Sequence, residues 1–171
     1  STAAIRGLGA DAMGVLTTAQ VAALTSLQAA ALTSAQLGAL TTADVAAITT
    51  ADIKNLSANA LLGLNAEQMG SLTAAQIGAL GTAQIAGLAA SQVAGLSTAA
   101  VVALSSTQIG QLSAAQVAAM SNAQLAAIET ADIKSLSTAA LRQLSAEQVA
   151  GMGTAQLTAF TTAQAAALTT A

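Results

Sequence analysis

The sequence predicts an all-α solenoid in which each eight-residue repeat forms one short, capped helix. Three observations support this prediction: a large apolar residue recurs every eight positions, a hydroxyl residue usually follows it, and glutamine usually comes three positions later. The pattern runs through all 171 residues without an insertion or deletion. We therefore expect a single octapeptide-repeat solenoid over residues 1–171, with no second domain.

Two apolar columns run through the repeat. We number the octad from the column of Leu8, so position one is large and apolar in every repeat. Position six is the second column, and only Ala29 and Ala165 are small there. Because position six and the next position one are three residues apart, they share one helical face. The residues of position one are Leu8, Leu16, Leu24, Leu32, Leu40, Ile48, Leu56, Leu64, Leu72, Leu80, Leu88, Leu96, Leu104, Leu112, Met120, Ile128, Leu136, Leu144, Met152, Phe160 and Leu168.

The polar positions predict where each helix begins. Position two is Ser or Thr in 16 of 22 occurrences, and position five is Gln in 13 of 21. The resulting S/T-x-x-Q pattern is a capping box. The hydroxyl accepts from the backbone N–H of the residue three positions later, and the glutamine amide oxygen accepts from the backbone N–H of the cap residue. Each helix should therefore start after its hydroxyl residue and end near the next large apolar residue.

One long helix or a set of strands fits the pattern poorly. In a continuous helix, eight residues leave about 80° of drift, so the apolar column would spiral around the rod. In a strand, positions one and six would point to opposite faces. An isolated helix of about seven residues is unstable in water, so the units must stack on one another. The sequence leaves the number of octads per turn and the handedness open.

A longer period is superimposed on the octad. Octads without Gln recur at 56–63, 96–103 and 136–143, which are 40 residues apart, and octads 48–55 and 128–135 are 80 apart. This period marks either a whole number of solenoid turns or a history of duplication. Solenoids usually carry polar terminal caps, and none is evident here, so we expect the array to be part of a longer one.

The composition argues against several classes of protein. The net charge is −3, and the four basic residues (Arg6, Lys54, Lys134 and Arg142) cannot form the basic patch that nucleic acid or an anionic membrane needs. The mean hydropathy is +0.68, but hydroxyl residues interrupt every apolar run, so membrane insertion is not expected. With no cysteine, disulfides and thiol sites are excluded.

The acidic residues are the candidate metal ligands. Asp44, Asp52 and Asp132 take the glutamine position, in the first helical turn, where a carboxylate caps the helix and complements its dipole. A calcium site needs six to eight converging oxygens. We therefore expect no metal site, although a weak two-carboxylate site on Asp44 and Asp52 is the alternative. The remaining charges are interpreted as solvated: Glu67, Glu129, Glu147, Arg6, Lys54, Lys134 and Arg142.

No catalytic residue is predicted, and neither a cofactor nor a small-molecule substrate is expected. The chain has no His or Cys to activate a hydroxyl, which leaves only a Ser–Lys pair with Lys54 or Lys134 as a theoretical option. The 13 glycines are scattered through octad positions and form no phosphate-binding loop. The methionines occupy the apolar columns and are interpreted as core. The protein is therefore not expected to be an enzyme.

The octads LTTAQVAA (16–23), LTAAQIGA (72–79) and LSAEQVAG (144–151) resemble the L-T-x-x-Q-(V/I/L)-x-x tracts of very large bacterial surface or secreted repeat proteins. The resemblance covers the whole chain and implies an extracellular or cell-surface, adhesin-like context. The expected function is a spacer, stalk or assembly surface, with neighbouring repeats or an end-to-end copy as partner. The alternatives are a ligand-binding module, with a Ser/Thr/Gln ladder that binds ice or glycan, and a filament unit.

Overall fold

The computed structural model describes residues 1–168, and these residues are helical throughout, with no strand. Within this range, 20 α-helices and one 3-10 helix follow one another, one to each octad. The predicted all-α fold of short helices is therefore confirmed. The helices are α1 Thr2–Gly7, α2 Ala10–Gly14, α3 Thr18–Ala22, α4 Ser26–Ala29, α5 Ser34–Gly38, α6 Thr42–Ala47, α7 Thr50–Ile53, α8 Ala58–Leu61, α9 Ala66–Ser71, α10 Ala74–Ala79, α11 Thr82–Gly87, α12 Ala90–Ala94, α13 Thr98–Val102, α14 Ser106–Ile109, α15 Ala114–Ala118, α16 Asn122–Ala127, η1 Ile133–Ser135 (3-10), α17 Thr138–Leu141, α18 Ala146–Gly151, α19 Thr154–Thr158 and α20 Thr162–Leu168.

The chain bends once in every octad, at the junction of positions one and two. Leu80 has φ −63° and ψ 140°, and Gly81 has φ −72° and ψ 157°, so two extended residues separate α10 from α11. Thr73 at the start of α10 is extended in the same way. These bends stop the apolar columns from spiralling, because every helix restarts with the same residues facing inward.

The helices wind into a superhelix. Each helix packs against the third helix after it, as α10 does against α13 and α3 against α6. Side-chain bonds also reach the helix four octads back, at sequence separations of 28 and 31 residues. One turn therefore takes roughly 28 residues, or about three and a half octads, and each octad contacts octads above and below it.

The two apolar columns fill the interior of the superhelix. Position-six residues such as Leu37, Ile77 and Leu125 are fully buried, and position-one residues from Leu32 to Met152 are buried as well. The four methionines also lie in this core, as predicted: Met13, Met69, Met120 and Met152. Burial falls at the two ends of the described array, because the adjoining turn that would cover those side chains is not present there.

The octad at residues 128–135 departs from one α-helix per repeat. Its cap position holds Glu129 in place of the usual Ser or Thr, and the helix is reduced to the 3-10 segment Ile133–Ser135. Other octads with a hydroxyl cap, such as the one capped by Ser121, form a regular α-helix. The octads whose cap positions hold Gly81, Ala89 and Gly153 also lack a cap hydroxyl and still form α-helices, so the missing hydroxyl does not by itself account for the 3-10 turn.

Successive turns approach closely where side chains are small. A Cβ placed on Gly63 would lie 1.9 Å from the carbonyl oxygen of Ser34, in the turn below. A Cβ on Gly95 would lie 2.4 Å from the carbonyl oxygen of Ala66. Glycine is needed at these two sites because backbone, not a flexible side chain, occupies the space. Among the described residues, no helix is long and apolar enough to cross a membrane.

Candidate functional site

The main polar feature of the molecule is a set of buried glutamines at octad position five. Gln76 shows the geometry. Its Oε1 accepts from the backbone N–H of Thr73 at 2.8 Å and from the Thr73 hydroxyl at 3.1 Å, which completes the predicted capping box. Its Nε2 donates to the carbonyl oxygens of Val45 at 2.9 Å and Ile48 at 2.6 Å, in the preceding turn.

We call this combination of a local cap and a turn-to-turn bond the glutamine clasp. It joins the start of one helix to the end of the helix four octads earlier, where the carbonyl of Ile48 has no backbone partner and that of Val45 accepts from the Ile48 N–H. One side chain therefore satisfies orphan groups on two different helices. Among the described residues the clasp is made by Gln36, Gln68, Gln76, Gln84, Gln92, Gln108, Gln116, Gln124, Gln148, Gln156 and Gln164.

Two glutamines make only the local half of the clasp. Gln20 and Gln28 accept from the N–H groups of Thr17 and Thr25, each at 2.8 Å. Neither Nε2 has an acceptor within residues 1–168, because no described turn precedes them. Gln20 is exposed and Gln28 is half-buried, whereas Gln76 and most other clasp glutamines are buried.

The three aspartates that replace glutamine are buried and do not converge on a metal. Asp44 accepts from the Thr41 hydroxyl at 2.6 Å, and Asp52 accepts from the Ser26 hydroxyl of the preceding turn at 2.8 Å. Asp132 likewise accepts from the hydroxyl of Ser106. The predicted capping role holds for Asp44, whose carboxylate accepts from the backbone N–H of Thr41 at 3.1 Å. It is wrong for Asp52, whose carboxylate accepts only from the Thr49 and Ser26 hydroxyls, and for Asp132, which makes no side-chain cap bond. The described residues contain no cluster of three or more metal-ligating side chains.

The clasp is missing at several octads. Alanine takes position five at Ala60, Ala100 and Ala140, all fully buried. Together with Asp44 and Asp52, Ala60 completes three successive octads that lack the glutamine donor. The turn-to-turn bonding is therefore not uniform along the array, even though the helical fold is.

The other charged candidates lie apart on the outer surface. Glu67, Glu129 and Glu147 are exposed, as are the four basic residues. This placement agrees with their interpretation as solvated charges. Few large apolar side chains are exposed among the described residues: Val15, Leu27, Leu62, Val102 and, at the C-terminal end of the array, Leu157.

The polar ladder predicted from the sequence is mostly engaged inside the structure. The hydroxyl of Thr73 accepts from the N–H of Gln76 at 3.2 Å and donates to its Oε1. The amide itself is buried between turns. A ligand approaching from solvent would therefore meet Thr and Ser methyl and hydroxyl groups, without the glutamine amides of the full clasps.

One open depression lies at the C-terminal end of the array. It has a volume of about 440 Å³ and an apolar lining. Position-six side chains that further octads would cover contribute to it, so it is the core of the superhelix opened at its end. Its lining residues are Leu144, Ala146, Val149, Ala150, Leu157 and Leu168.

The turn-to-turn half of the clasp was not predicted from the sequence. The capping box gives a role to the glutamine Oε1 and none to the amide nitrogen. One signal was available: Glu satisfies a capping box as well as Gln does, yet it is absent from position five. The absence of Glu indicates that position five needs an uncharged side chain with a donor N–H, and such a donor needs a second, buried acceptor.

A sequence model of the ALTTAQ repeat matches the chain at residues 1–26, 45–82, 85–122 and 125–162. The last three matches begin 40 residues apart, which is the longer period seen in the sequence. No curated protein matches the chain. No solved structure matches it either.

Proposed function

Because this chain belongs to the ALTTAQ repeat family, we propose that it is a structural repeat segment that serves as a spacer or stalk, or as an assembly surface, in a large bacterial surface or secreted adhesin-like protein. In this proposal it carries out no catalysis and binds no cofactor. The observation that supports it is the glutamine clasp, which ties each turn to the next along the array. Most of the buried polar side chains thus stabilise the stacking of successive turns.

The winding sets the dimensions of such a spacer. The described residues make about six turns of roughly 28 residues, and packed helices lie about 8–10 Å apart, so the array is a rod of roughly 50–60 Å. This is much shorter per residue than a single α-helix, which rises about 1.5 Å per residue. The superhelix is therefore shorter than a single helix of the same number of residues, but it is thicker and buries an apolar core.

Small-angle X-ray scattering tests the spacer. The chain should behave as a rod of about 50–60 Å, and two copies joined in the same octad register should form a rod about twice as long. The matched control joins the copies with four extra residues, which breaks the octad register and should introduce a bend or a flexible joint. A doubled array that collapses into a compact particle would rule the spacer out. Labelling intact cells with an antibody to the chain tests the surface location.

The ends of the array support end-to-end assembly as a second role. Leu8, Leu16 and Leu24 are half-buried at one end, and Leu157 is 39% exposed at the other. These side chains occupy the same columns that pack against each other between turns inside the array. An adjoining turn of octads, before Leu8 or after Leu157 and either from the same polypeptide or from a second copy, would cover them by the same contact.

Sedimentation at increasing protein concentration tests this second role. The chain should associate reversibly, and Leu157→Glu should abolish the association because it places a charge on the end face. Leu62→Glu is the matched control, since Leu62 is 48% exposed on the outer surface in the middle of the array. A chain that stays monomeric at millimolar concentration, or equal effects of both variants, would argue against end-to-end assembly.

A further inference from the structure

One contact between turns lacks the glutamine clasp completely. Residues 41–61 stack on residues 10–32, and their three position-five residues are Asp44, Asp52 and Ala60. Clasps resume on both sides, at Gln36 and Gln68. We call the contact between residues 41–61 and residues 10–32 the seam. It extends over nearly one full turn.

Little polar bonding replaces the missing clasps. The hydrogen bond from the Ser26 hydroxyl to Asp52, at 2.8 Å, is the side-chain bond that crosses the seam among the described residues. At the separations of 31 and 28 residues that Gln76 shows, an amide at position 44 would donate to the carbonyl oxygens of Met13 and Leu16, and a carboxylate cannot donate to them. Asp44 instead directs its bonds to Thr41 within its own helix.

We propose that the seam is the yield point of the array, where turns part first under tension or in thermal fluctuation. Residues 1–32 then leave the superhelix, which requires only the one clasp from Gln36 to Ile5 and Leu8 to break, while the clasped turns after the seam remain wound. The stability of a solenoid is carried by contacts between neighbours, so the weakest contact opens first. The released helices melt, because helices of this length are unstable alone. The inference deepens the proposed spacer function and rests on it for its biological meaning.

The C-terminal turn provides an internal comparison. Residues 137–168 also form an end turn of the described array, so they share any fraying that ends suffer. They are held to the preceding turn by three successive clasps, from Gln148, Gln156 and Gln164. A difference between the two end turns therefore reports on the clasps.

Amide hydrogen exchange on the full chain tests the seam. We expect residues 10–32 to exchange about tenfold faster, or more, than residues 137–168, since each missing net hydrogen bond accounts for several-fold in the opening equilibrium. Equal exchange in the two end turns, or slower exchange in residues 10–32, would overturn the proposal. This measurement is independent of cellular location and of rod length. A failed spacer and an absent seam can thus be told apart.

Installing a clasp gives the sharper test. Asp44→Gln should slow exchange of residues 10–32 several-fold, because the new amide can reach the carbonyl oxygens of Met13 and Leu16. Glu67→Gln makes the same change of charge at an exposed site outside the seam and should leave that exchange unchanged. Circular dichroism confirms that both variants are folded. If a folded Asp44→Gln variant exchanged as fast as the parent chain, the missing donor would not be the cause of opening.

Pulling on the two ends of a single molecule tests the yield point directly. The first extension step should release about 32 residues, which corresponds to roughly 110 Å of extended chain. Asp44→Gln should raise the force of this first step, and Glu67→Gln should not. A first-step force that is the same in Asp44→Gln and in the parent chain would contradict a yield point at the seam.

Discussion

Changing a clasp glutamine to glutamate separates its two bonds. In Gln76→Glu, a carboxylate oxygen can still accept from the N–H of Thr73, so the local cap is kept. The donor to the carbonyl oxygens of Val45 and Ile48 is lost. A negative charge is also placed against those oxygens at a site that is 2% exposed.

The structure gives the size of the effect. The carbonyl oxygen of Ile48 loses its side-chain partner, and that of Val45 keeps only the backbone N–H of Ile48 at 3.3 Å. Leaving buried acceptors unpaired costs about 1–3 kcal/mol each, and a buried charge without a partner adds several more. We expect Gln76→Glu to lower the free energy of unfolding by about 4 kcal/mol or more. This is a large part of a typical total of about 5–15 kcal/mol.

Gln20→Glu is the matched control. Gln20 makes the same cap with Thr17, but it is exposed and its amide has no acceptor among the described residues. The control should change stability by no more than about 0.5 kcal/mol. Urea unfolding followed by circular dichroism is the assay, since the chain has no Trp or Tyr to report by fluorescence. Equal unfolding midpoints for the two variants would refute the turn-to-turn role of the clasp.

Three further predictions concern the apolar core, the close approach of two turns at Gly63 and the helix cap at Thr73. Leu80→Ala should cost about 2–5 kcal/mol and Leu80→Asp should abolish folding, because this side chain is 4% exposed; an unchanged melting curve for Leu80→Asp would contradict the inward column. Gly63→Ala should destabilise the chain by about 2 kcal/mol or more, since its Cβ would strike the Ser34 carbonyl oxygen, whereas Gly7→Ala has open space and should be nearly neutral in urea titrations. Thr73→Ala should cost about 1 kcal/mol by losing one cap, and a loss comparable to that of Gln76→Glu would show that the cap dominates.

The sequence predicted the helices well because their signals are local. The hydroxyl and the glutamine of a capping box lie three residues apart, and the two apolar columns are also three apart, so one octad contains all the information for one helix. The 3-10 segment after Glu129 is not explained by this local reasoning, because the octads whose cap positions hold Gly81 and Ala89 also lack the hydroxyl and form α-helices. At the bend between Leu80 and Gly81 only the glutamine half of the box is present, because Gln84 accepts from the Gly81 N–H and glycine has no hydroxyl.

The turn-to-turn bonds were beyond this reasoning because they join residues about one turn apart. Nothing within an octad says that Nε2 of Gln76 should meet Ile48, 28 residues earlier. The separation depends on the angle between successive short helices, which arises from packing of the whole array. The bond from Ser26 to Asp52 is another such case, at a separation of 26 residues. Two of the three aspartates thus have a serine partner that sequence periodicity alone did not reveal.

The winding also decides between the two explanations of the longer period. With about 28 residues per turn, the 40-residue period corresponds to about 1.4 turns, so equivalent residues fall on different sides of the rod. Leu62 and Val102, which are exposed equivalents in this period, therefore do not form one patch. The 40-residue unit is thus a record of duplication, and it does not build a single flat face. Octads on one face must instead be three, four or seven apart, just as residues are in an α-helix. A binding surface on the outside of this rod would consequently appear as substitutions spaced by those intervals.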